Sequence, residues 1–290
     1  MRKNVKKQIA VDVIILVILL IIGGIRYIQK EKAAQLVDGS VELHVIDVGQ
    51  GDSVLIKTDV GNMLIDAGTN DSEQSLSNYL DSVGVDSFEY CIFTHPHEDH
   101  IGGADMIMEN YDVRNVIISP ASASTTTYER LLDSLERSSA NVIKALPGEE
   151  YSLGELEIFI MGPIVVGGER DENNTSVITR LSYGGMRMMF TGDAEKIQEM
   201  DILDKYSSFE LDCDFLKMGH HGSSTSSCED FMNAVTPSIA AISCGKDNSY
   251  GHPHREIVAL LEEWGIEYHR TDILGNLVYV CDGKTIEIKE

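Results

Sequence analysis

The sequence predicts an α/β (α+β) fold in which two mixed β-sheets pack between outer helices as an αββα four-layer sandwich, preceded by one N-terminal transmembrane helix. Three observations predict it. Short apolar segments alternate with amphipathic ones along residues 39–290, the second half repeats the order of the first, and each half contains a strand that ends in a histidine-bearing loop. About 250 residues with an ordinary hydrophobic content of 43% for the whole chain can build one sizeable core. One domain is therefore expected over residues 39–290.

The elements of the first half are predicted from apolar runs and their spacing. Leu76, Leu80 and Val83 recur at helical spacing and Gly84 follows as a stop signal, which predicts a helix over Ser72–Val83. Short runs bounded by glycine and aspartate predict strands at Val41–Ile46, Ser53–Ile56 and Asn62–Ile65. After the first histidine loop we expect a helix through Met106 and Met108, the strand Val116–Ser119, a helix over Tyr128–Ser138, and strands between Val142 and Met161.

The second half is predicted to follow a similar order. Gly184 and Gly185 predict a hairpin turn within Val177–Phe190, and Ser226 with Glu229 three residues later predicts a capping box. The other expected elements are a helix over Ala194–Tyr206, the strand Cys213–Met218, a helix over Ser226–Val235, the strand Ile239–Cys244, a helix over His254–Trp264, and closing strands to Ile288.

The N-terminal segment, residues 1–38, predicts a cytoplasmic stub, a membrane anchor and a linker. Ile9–Ile28 is almost entirely apolar, and twenty residues at a rise of 1.5 Å cover about 30 Å, enough to cross a bilayer. Basic residues before it favour a single-pass cell-membrane protein with its N-terminus inside and the catalytic domain outside the cytoplasm. A cleaved signal peptide is the alternative, but the run is long for one and no clean A-x-A site follows.

Charge and cysteine content narrow the classes of function. The chain has a formal net charge of −24, and setting aside the seven basic and three acidic residues of positions 1–38 leaves about −28. Such a surface repels a polyanion, so a nucleic-acid substrate would have to be captured locally by metals and a few cations. The five cysteines lack CxxC spacing, which indicates free apolar thiols without a disulfide framework or thiolate metal site.

The loop Thr94–Gly103 concentrates metal-binding residue types within six positions: His95, His97, Asp99 and His100. If the preceding strand continues into the loop, alternate residues point to one side about 7 Å apart, so His95, His97 and Asp99 can converge. His100 starts on the other side, so the chain must curl there, which Gly102–Gly103 allow. Imidazole with carboxylate suits zinc, manganese or iron, whereas calcium sites use oxygen. The loop therefore predicts half of a two-metal hydrolytic site.

Seven motifs follow one another along the chain: His44–Ser53, Thr94–Gly103, Asn174–Ser176, Thr191–Asp193, Lys217–Ser223, Gly251–Pro253 and Arg270–Asp272. In this order they resemble the metallo-β-lactamase fold hydrolases, and within them the ComEC-type competence domain associated with DNA internalisation. The resemblance spans roughly residues 41–282. It implies an αββα sandwich with the active site at one edge of the paired sheets.

Carried over position by position, the resemblance implies a site for two divalent ions, zinc or manganese. His95 and His97 would bind the first ion, Asp99 and His100 the second, and Asp193 would bridge both. From the pair His220–His221, we expect His220 to complete the second site because it follows the strand first, with His221 supporting a ligand or contacting substrate. The expected catalytic residues are Asp99, Asp193 and His252, and His252 would contact substrate or donate a proton.

One departure concerns the first ion. Many members of the fold supply a third histidine about twenty residues before the bridging aspartate, whereas here that interval contains Asn173–Ser176. No histidine occurs between His100 and His220. The ComEC-type branch carries this Asn/Ser pattern, so the resemblance implies a weaker or more open first site. The sequence leaves open whether Asn173 or Asn174 approaches it.

Further residues are expected to contact the substrate: Gln50, Asp52, Asn174, Lys217, His221, Ser223 and Arg270. The glycines of loop 49–53 suit backbone amides that face a phosphate, and a tight hairpin loop is the alternative. Ser223 precedes a helix start where a phosphate oxygen could bind, and simple capping explains it equally well. Lys217 and Arg270 are the expected cations for phosphate charge. Asp66 is expected to be structural and to brace the metal loop.

The expected function is a membrane-anchored, metal-dependent phosphodiesterase or DNase that uses a metal-activated hydroxide, with DNA as the expected partner. The chain lacks the multi-helix channel of a full competence protein, so a direct role in transport is not expected. A cell-surface phosphoesterase acting on phosphorylcholine is the alternative, and a non-catalytic anchored binding protein is a third. No protein partner can be deduced.

Overall fold

Two β-sheets form the centre of the molecule, in a computed structural model that describes residues 39–165 and 171–289. The first sheet contains β1 (Val41–Val45), β2 (Val54–Lys57), β3 (Asn62–Ile65), β4 (Ser87–Phe93), β5 (Asp112–Ile118), β6 (Asn141–Lys144), β14 (Leu277–Cys281) and β15 (Ile286–Ile288). Its strand order is β15-β14-β1-β2-β3-β4-β5-β6. The second sheet contains β7 (Glu150–Leu153), β8 (Leu156–Ile160), β9 (Thr179–Tyr183), β10 (Met186–Phe190), β11 (Phe215–Lys217), β12 (Ile239–Ile242) and β13 (Glu267–Arg270). Its order is β13-β12-β11-β10-β9-β8-β7.

Helices lie along the outer faces of both sheets. The first half contributes α1 (Glu73–Ser82), α2 (Glu98–Ile101), α3 (Ala104–Asn110) and α4 (Thr126–Arg137). The second half contributes α5 (Lys196–Lys205), α6 (Ser208–Leu211), α7 (Glu229–Val235), α8 (Arg255–Glu263) and α9 (Thr271–Leu274). Three-residue or four-residue 3₁₀ turns occur at Asn70–Ser72, Asn173–Thr175 and Gly219–Gly222.

Three separate hydrophobic cores show that these elements form four layers. The central core lies between the sheets, where Leu43 of the first sheet and Phe215 of the second are both fully buried. A second core joins the first sheet to its helices, for example through Leu76 and Leu131. A third joins the second sheet to its helices through residues such as Phe231. The predicted αββα sandwich is therefore confirmed for the described part of the chain.

Alternating burial along the strands explains how one sheet serves two cores. In β4, Ile92 packs into the central core, whereas Cys91 and Phe93 pack against the helices on the other face. This is the two-residue period of an extended strand, with both faces apolar because both are covered. The five cysteines are free and four of them are buried, as predicted.

The predicted elements are present, with differences at their ends. The capping box predicted from Ser226 and Glu229 is wrong, because α7 begins only at Glu229 and has Cys228 as its N-cap. Ser226 Oγ instead donates to the backbone oxygen of Ala194 at 2.8 Å. In the first histidine loop the chain curls earlier than expected, since α2 begins at Glu98 directly after His97.

Gly102 is required for close packing and not for the curl itself. Its backbone is helical, and a Cβ atom there would lie only 2.2 Å from the backbone nitrogen of Asn70. Gly51 has a similar role, because a Cβ atom would lie 2.4 Å from the backbone oxygen of Asp99. These two glycines let neighbouring loops approach the segment that carries the histidines.

The predicted membrane anchor, Ile9–Ile28, lies outside the described residues. Within residues 39–165 and 171–289, no helix combines the length and the apolar character that a bilayer span requires.

Candidate metal centre

The histidine and aspartate motifs converge because the loops that carry them all follow the carboxyl ends of parallel strands. β3, β4 and β5 run parallel in the first sheet, and β10, β11 and β12 run parallel in the second. The carboxyl ends of parallel strands form one edge of a sheet, where open α/β folds place their ligand sites. The two edges meet where Val177 N donates to Thr94 O at 2.9 Å.

Three clusters of metal-binding residue types occur in the described part of the chain, and two of them share Asp193. The first of these two, which we call the buried group, consists of Asp99, His100, Asp193 and His221, and the third cluster, without Asp193, is Asp52, Asp66 and His100. His100 Nε2 lies 3.1 Å from Asp193 Oδ1, and His221 Nε2 lies 3.3 Å from Asp99 Oδ2 and 3.6 Å from Asp193 Oδ2. The side chains of His100, His221 and Asp193 are almost fully buried. Two imidazoles and two carboxylates thus point at one place.

The second cluster, the open group, consists of His95, His97 and Asp193. His95 Nε2 lies 3.1 Å from His97 Nδ1 and 3.8 Å from Asp193 Oδ2. His95 is buried, whereas 38% of the His97 side chain is exposed. Asp193 belongs to both groups, which is the arrangement that a bridging carboxylate requires.

Hydrogen bonds fix which ring nitrogen of each histidine is free to bind a metal. His100 Nδ1 donates to Asp66 Oδ2 at 2.7 Å, and His221 Nδ1 donates to the backbone oxygen of Ser243 at 3.0 Å. The outer nitrogen of His97, Nε2, lies 3.0 Å from the Glu172 carboxylate. Because a carboxylate or a carbonyl oxygen can only accept, these nitrogens carry the protons. The opposite nitrogens face the two groups and, in the neutral imidazole, keep the lone pairs with which metal-binding histidines bind.

The charges of the buried group show that it needs positive charge at its centre. Burial disfavours ionised carboxylates, yet the charges of His100 and His221 outweigh it and hold the pKa of Asp193 well below its usual range. Burial likewise opposes protonation of His221, but Asp193 and Asp52 raise its pKa to about 10. The carboxylates beside His100 and His221 are therefore kept ionised by these cationic partners. A divalent ion can supply the same positive charge.

Unpaired buried atoms provide the test of whether a metal fits. Within the described residues, His100 Nε2, His221 Nε2 and Asp193 Oδ1 are buried and make no hydrogen bond of good geometry, although His100 Nε2 and Asp193 Oδ1 approach each other to 3.1 Å. Buried polar atoms almost always form hydrogen bonds, so three unsatisfied atoms at one point indicate a missing partner. Imidazole nitrogen and carboxylate oxygen suit zinc, manganese or iron. The residues present therefore fit the divalent metal that the sequence predicted.

The two histidines of the Gly219–Gly222 turn differ from the expectation that His220 alone completes the second site. His221 joins the buried group, whereas His220 Nε2 lies 3.6 Å from Asp193 Oδ2, its Nδ1 lies 3.1 Å from Thr225 Oγ1, and its side chain is 21% exposed. Both residues have left-handed backbone conformations, with φ of 48° and 56°. Such conformations are strained for residues with a side chain and cluster at functional sites. The turn therefore directs the second histidine inward.

Behind the ligands, two aspartates brace the buried group. Asp66 accepts from Thr94 N and Thr94 Oγ1 at 2.7 Å each, and it also holds His100. Asp52 Oδ1 lies 3.3 Å from His221 Nδ1, and its other oxygen accepts from Lys217 Nζ at 2.7 Å. Asp66 has the structural position that the sequence predicted. Asp52 lies behind His221 and does not have the substrate-facing position that was expected.

Four other residues expected to bind substrate are engaged within the protein. Lys217 is 2% exposed and paired with Asp52, which excludes it from contact with a phosphate. Arg270 forms a two-pronged ion pair with Asp272 at 2.9 and 2.7 Å. Asn174 is fully buried and accepts from Glu195 N, and Ser223 is 3% exposed with its Oγ against Thr225 Oγ1. Lys217, Asn174 and Ser223 are therefore buried, whereas 23% of the Arg270 side chain is exposed and its contact with substrate stays a prediction.

Backbone amides expected to face a phosphate are also used internally. Asp52 N donates to Asp99 O and Gly51 N to Gly49 O, at 3.0 and 3.1 Å. In the segment after the histidine pair, Ser224 N donates to His254 Nδ1 at 2.9 Å. The tight-loop alternative therefore describes the first segment, and a contact within the protein occupies the Ser224 amide of the second.

Gln50 and His252 lie together beside the buried group. The Gln50 amide oxygen accepts from Gly245 N at 3.0 Å, which leaves its Nε2 to donate to His252 Nδ1 at 3.2 Å. His252 therefore carries its proton on Nε2. Burial lowers the pKa of His252 to about 4, with further lowering from His221. Its ring centroid is 6.2 Å from that of His221 and 5.6 Å from that of His220.

Three groups that contact the ligand histidines were not predicted from the sequence. Glu172 contacts His97, Ser176 Oγ lies 3.3 Å from His95 Nδ1, and the Ser243 backbone holds His221. Ser176 and Glu172 flank the Asn173–Thr175 turn in the interval that lacks the third histidine. The Asn/Ser pattern of that interval was the only sequence signal for Glu172 and Ser176. The backbone carbonyl of Ser243 has no sequence signal.

Known proteins have sequences similar to that of this chain. Residues 46–246, more than half of the chain, match the family described as the metallo-beta-lactamase superfamily. The chain is 30% identical over 256 residues to ComE operon protein 3 of Bacillus subtilis (strain 168), covering 82% of this chain and 33% of that protein. It is 28% identical over 266 residues to Competence protein ComA of Neisseria gonorrhoeae, covering 90% and 35% respectively. The chain thus spans about a third of the length of these ComEC-type competence proteins.

Solved structures give the same fold. The metallo-beta-lactamase fold protein YhfI from Bacillus subtilis superposes with a TM-score of 0.56 over 84% of this chain and 100% of that chain. The two sequences are only 13% identical, so this similarity concerns the fold alone.

Proposed function

The chain belongs to the metallo-β-lactamase superfamily and has its metallo-hydrolase fold, and from this premise we propose that it hydrolyses phosphodiester bonds, with DNA as the expected substrate. The observation that carries the proposal is the pair of ligand groups that share Asp193. Two divalent ions bound there, zinc or manganese, would supply Lewis acidity and an activated water, the chemistry that phosphatases and nucleases use. The competence relatives support DNA, because competence is the uptake of DNA by cells.

The residues around the two groups would position the substrate. Asp193 and Asp99 hold the ligand geometry from the buried side. His252 offers its Nε2 proton as a hydrogen-bond donor, because Gln50 occupies Nδ1. His220 stands near His252 on the more exposed side of the centre. These two histidines would contact the phosphoryl oxygens, a role for which Lys217 is too deeply buried.

A second candidate function follows from a cleft beside the centre. It is lined by Asp47, Asp71 and Glu98 together with Gln50, which contacts His252. Three carboxylates attract a cation. This cleft favours a phosphoester that carries a cationic head group, such as phosphorylcholine, over a polyanion.

Localisation is proposed on the sequence alone. The apolar segment Ile9–Ile28 would anchor the chain in the cell membrane, with the hydrolase domain outside the cytoplasm. Membranes from expressing cells should retain the protein after alkaline washing, and externally added protease should degrade the domain in spheroplasts. Release by alkali, or protection from protease, would contradict the anchor or its orientation.

Activity assays on the purified 290-residue chain test the proposed reaction. With zinc or manganese added, we expect cleavage of linear single-stranded or double-stranded DNA and of a nitrophenyl phosphodiester. His97→Ala and Asp193→Ala should abolish it, and Asp133→Ala, an exposed carboxylate on α4, serves as the control.

The same assays separate the candidates. Preferential hydrolysis of nitrophenyl-phosphorylcholine would favour the second function. Full activity of both site variants would show that the reaction occurs elsewhere, and a chain that binds metal but cleaves none of these substrates would fit the non-catalytic alternative.

A further inference from the structure

An exposed aromatic ring lies close to the candidate metal centre. Tyr250 is 67% exposed, whereas a tyrosine in a folded protein usually buries most of its ring. Its ring is stacked on His252, with centroids 5.6 Å apart and planes inclined by 24°. His252 in turn lies 6.2 Å from His221 with an inclination of 29°. Two ring-to-ring steps therefore connect the exposed tyrosine to a residue of the buried group.

The loop that carries Tyr250, residues 245–254, is held in place by its own hydrogen bonds. Asn248 Nδ2 donates to the backbone oxygens of Gly245 and His252, at 2.8 and 2.6 Å. Asn248 Oδ1 accepts from His252 N at 3.0 Å. His254 accepts from Ser224 N through Nδ1, so its Nε2 donates to the backbone oxygen of Tyr250 at 3.3 Å. An exposed ring on a braced loop is preorganised, which lowers the entropy lost on binding.

The surroundings of the centre call for a binding force other than charge. The chain is strongly acidic, with a net charge of −24, and the two cations expected to hold phosphates are paired with Asp52 and Asp272. Base stacking on an aromatic ring does not depend on a cation and contributes to binding of any single-stranded nucleic acid. An unpaired strand also brings its bases to the protein surface, whereas a duplex hides them.

We propose that Tyr250 is a stacking platform for a nucleobase of the strand whose phosphodiester is cleaved at the metal centre, which makes single-stranded nucleic acid the substrate class. This inference rests on the proposed function and deepens it. His252 covers one face of the tyrosine ring, and the base stacks on the other. The ring selects for a flat, unpaired base and not for a particular sequence, because every base has a π-face.

A quaternary ammonium group would use the same ring differently. Choline is recognised by an aromatic cage in which several rings surround the cation. With one face of Tyr250 already stacked on His252, a single face remains, which suits a planar base better than a tetrahedral head group.

Steady-state kinetics on DNA strands with and without nucleobases tests whether Tyr250 is a stacking platform. Tyr250→Ala in the 290-residue chain should raise KM for a single-stranded DNA by about 5- to 150-fold, with little change in kcat. For a strand of abasic residues of the same length, wild type and Tyr250→Ala should have KM values within about twofold of each other. Tyr250→Phe keeps the ring and should behave as wild type. Phe209→Ala removes another exposed aromatic residue, 78% exposed on α6, and is the matched control.

A binding measurement separates failure of the platform from failure of the proposed reaction. Fluorescence anisotropy with labelled normal and abasic strands reports binding whether or not cleavage occurs. Stronger binding of the normal strand that is lost in Tyr250→Ala supports the platform, even if no strand is cleaved and the proposed reaction fails. Cleavage with equal effects of Tyr250→Ala on normal and abasic strands overturns the platform and leaves the proposed reaction intact. An effect of Tyr250→Ala confined to nitrophenyl-phosphorylcholine also overturns it, in favour of a cation site.

Discussion

The buried group and the open group share Asp193 but differ in how their histidines are supported. In the buried group, His100 is held by Asp66 at 2.7 Å, and both side chains are at most 1% exposed. In the open group, His97 is held by Glu172 at 3.0 Å, and the two side chains are 38% and 42% exposed. Each pair is a carboxylate that fixes the tautomer of a histidine. Only the environment of the pair differs.

This difference in burial indicates which of the two groups should bind its ion more tightly. A buried carboxylate–histidine pair is little screened by water and loses few alternative conformations when it forms, whereas an exposed pair is screened and its side chains are mobile. The open group also has one ligand fewer among histidine, aspartate and glutamate residues of the described chain. We therefore expect tight binding of one ion at the buried group and weaker binding at the open group.

The largest effect is expected from the residue that both groups share. Asp193→Ala should remove most of the bound metal and lower activity by more than about 100-fold, because it deletes a ligand itself and leaves its buried partners unpaired. Metal content measured by mass spectrometry after dialysis gives the test, with Asp133→Ala as the control. A chelator should lower the Tm of wild type and leave that of Asp193→Ala nearly unchanged, since a ligand that binds only the folded state stabilises it. Wild-type metal content in Asp193→Ala would refute the shared site.

The histidine motif and the fold were accessible from the sequence because both depend on local patterns. His95, His97, Asp99 and His100 lie within six positions, and the strand and helix periods of the chain predicted the four layers, whereas the role of Asp193 followed from the resemblance to the metallo-β-lactamase fold hydrolases. Position along the chain could not distinguish His220 from His221. Their order relative to the sheet edge depends on two left-handed backbone conformations in one turn.

The ion pairs formed by the two cations predicted to contact phosphate could not be foreseen for a different reason. Lys217 is separated from Asp52 by 165 positions, yet the two form a buried ion pair. A lysine next to a metal motif gives no sign that a distant aspartate will neutralise it. Arg270 and Asp272 are only two positions apart, but the motif alone does not reveal that they form an ion pair. Pairings that depend on tertiary structure therefore account for most of the differences.

An intermediate effect is expected from the two supporting carboxylates, and it tests the comparison directly. Asp66→Asn should weaken the affinity of the tighter ion by about 10- to 100-fold, in line with losses of similar supporting residues. Glu172→Gln should weaken only the second ion, by less than about tenfold, because its contact is exposed. Metal titration by calorimetry resolves the two ions, and repetition at high salt should reduce the effect of Glu172→Gln only. Equal losses in both variants would show that burial does not set the affinity.

The smallest effect on the metal centre is expected at Glu199, which supports the buried group from farther away. Its carboxylate, on α5, accepts from Ser227 N and Cys228 N and so fixes the segment that follows the His221 turn. Burial raises the pKa of Glu199 from 4.5 to about 7. The folded state therefore holds a proton between about pH 4.5 and pH 7 that the unfolded state has lost. Stability is favoured below this window and falls as the pH rises through it.

The loss should be at most about 3.5 kcal/mol, since one pKa unit corresponds to about 1.4 kcal/mol. Glu199→Gln stays uncharged, so its Tm should fall less than that of wild type between pH 5 and pH 8, with the exposed Glu136→Gln as the control. Metal content at pH 8 should remain close to that of wild type, because Glu199 touches no ligand. Parallel Tm profiles for wild type and Glu199→Gln would show that the carboxylate is ionised throughout, and that its two backbone donors outweigh the effect of burial.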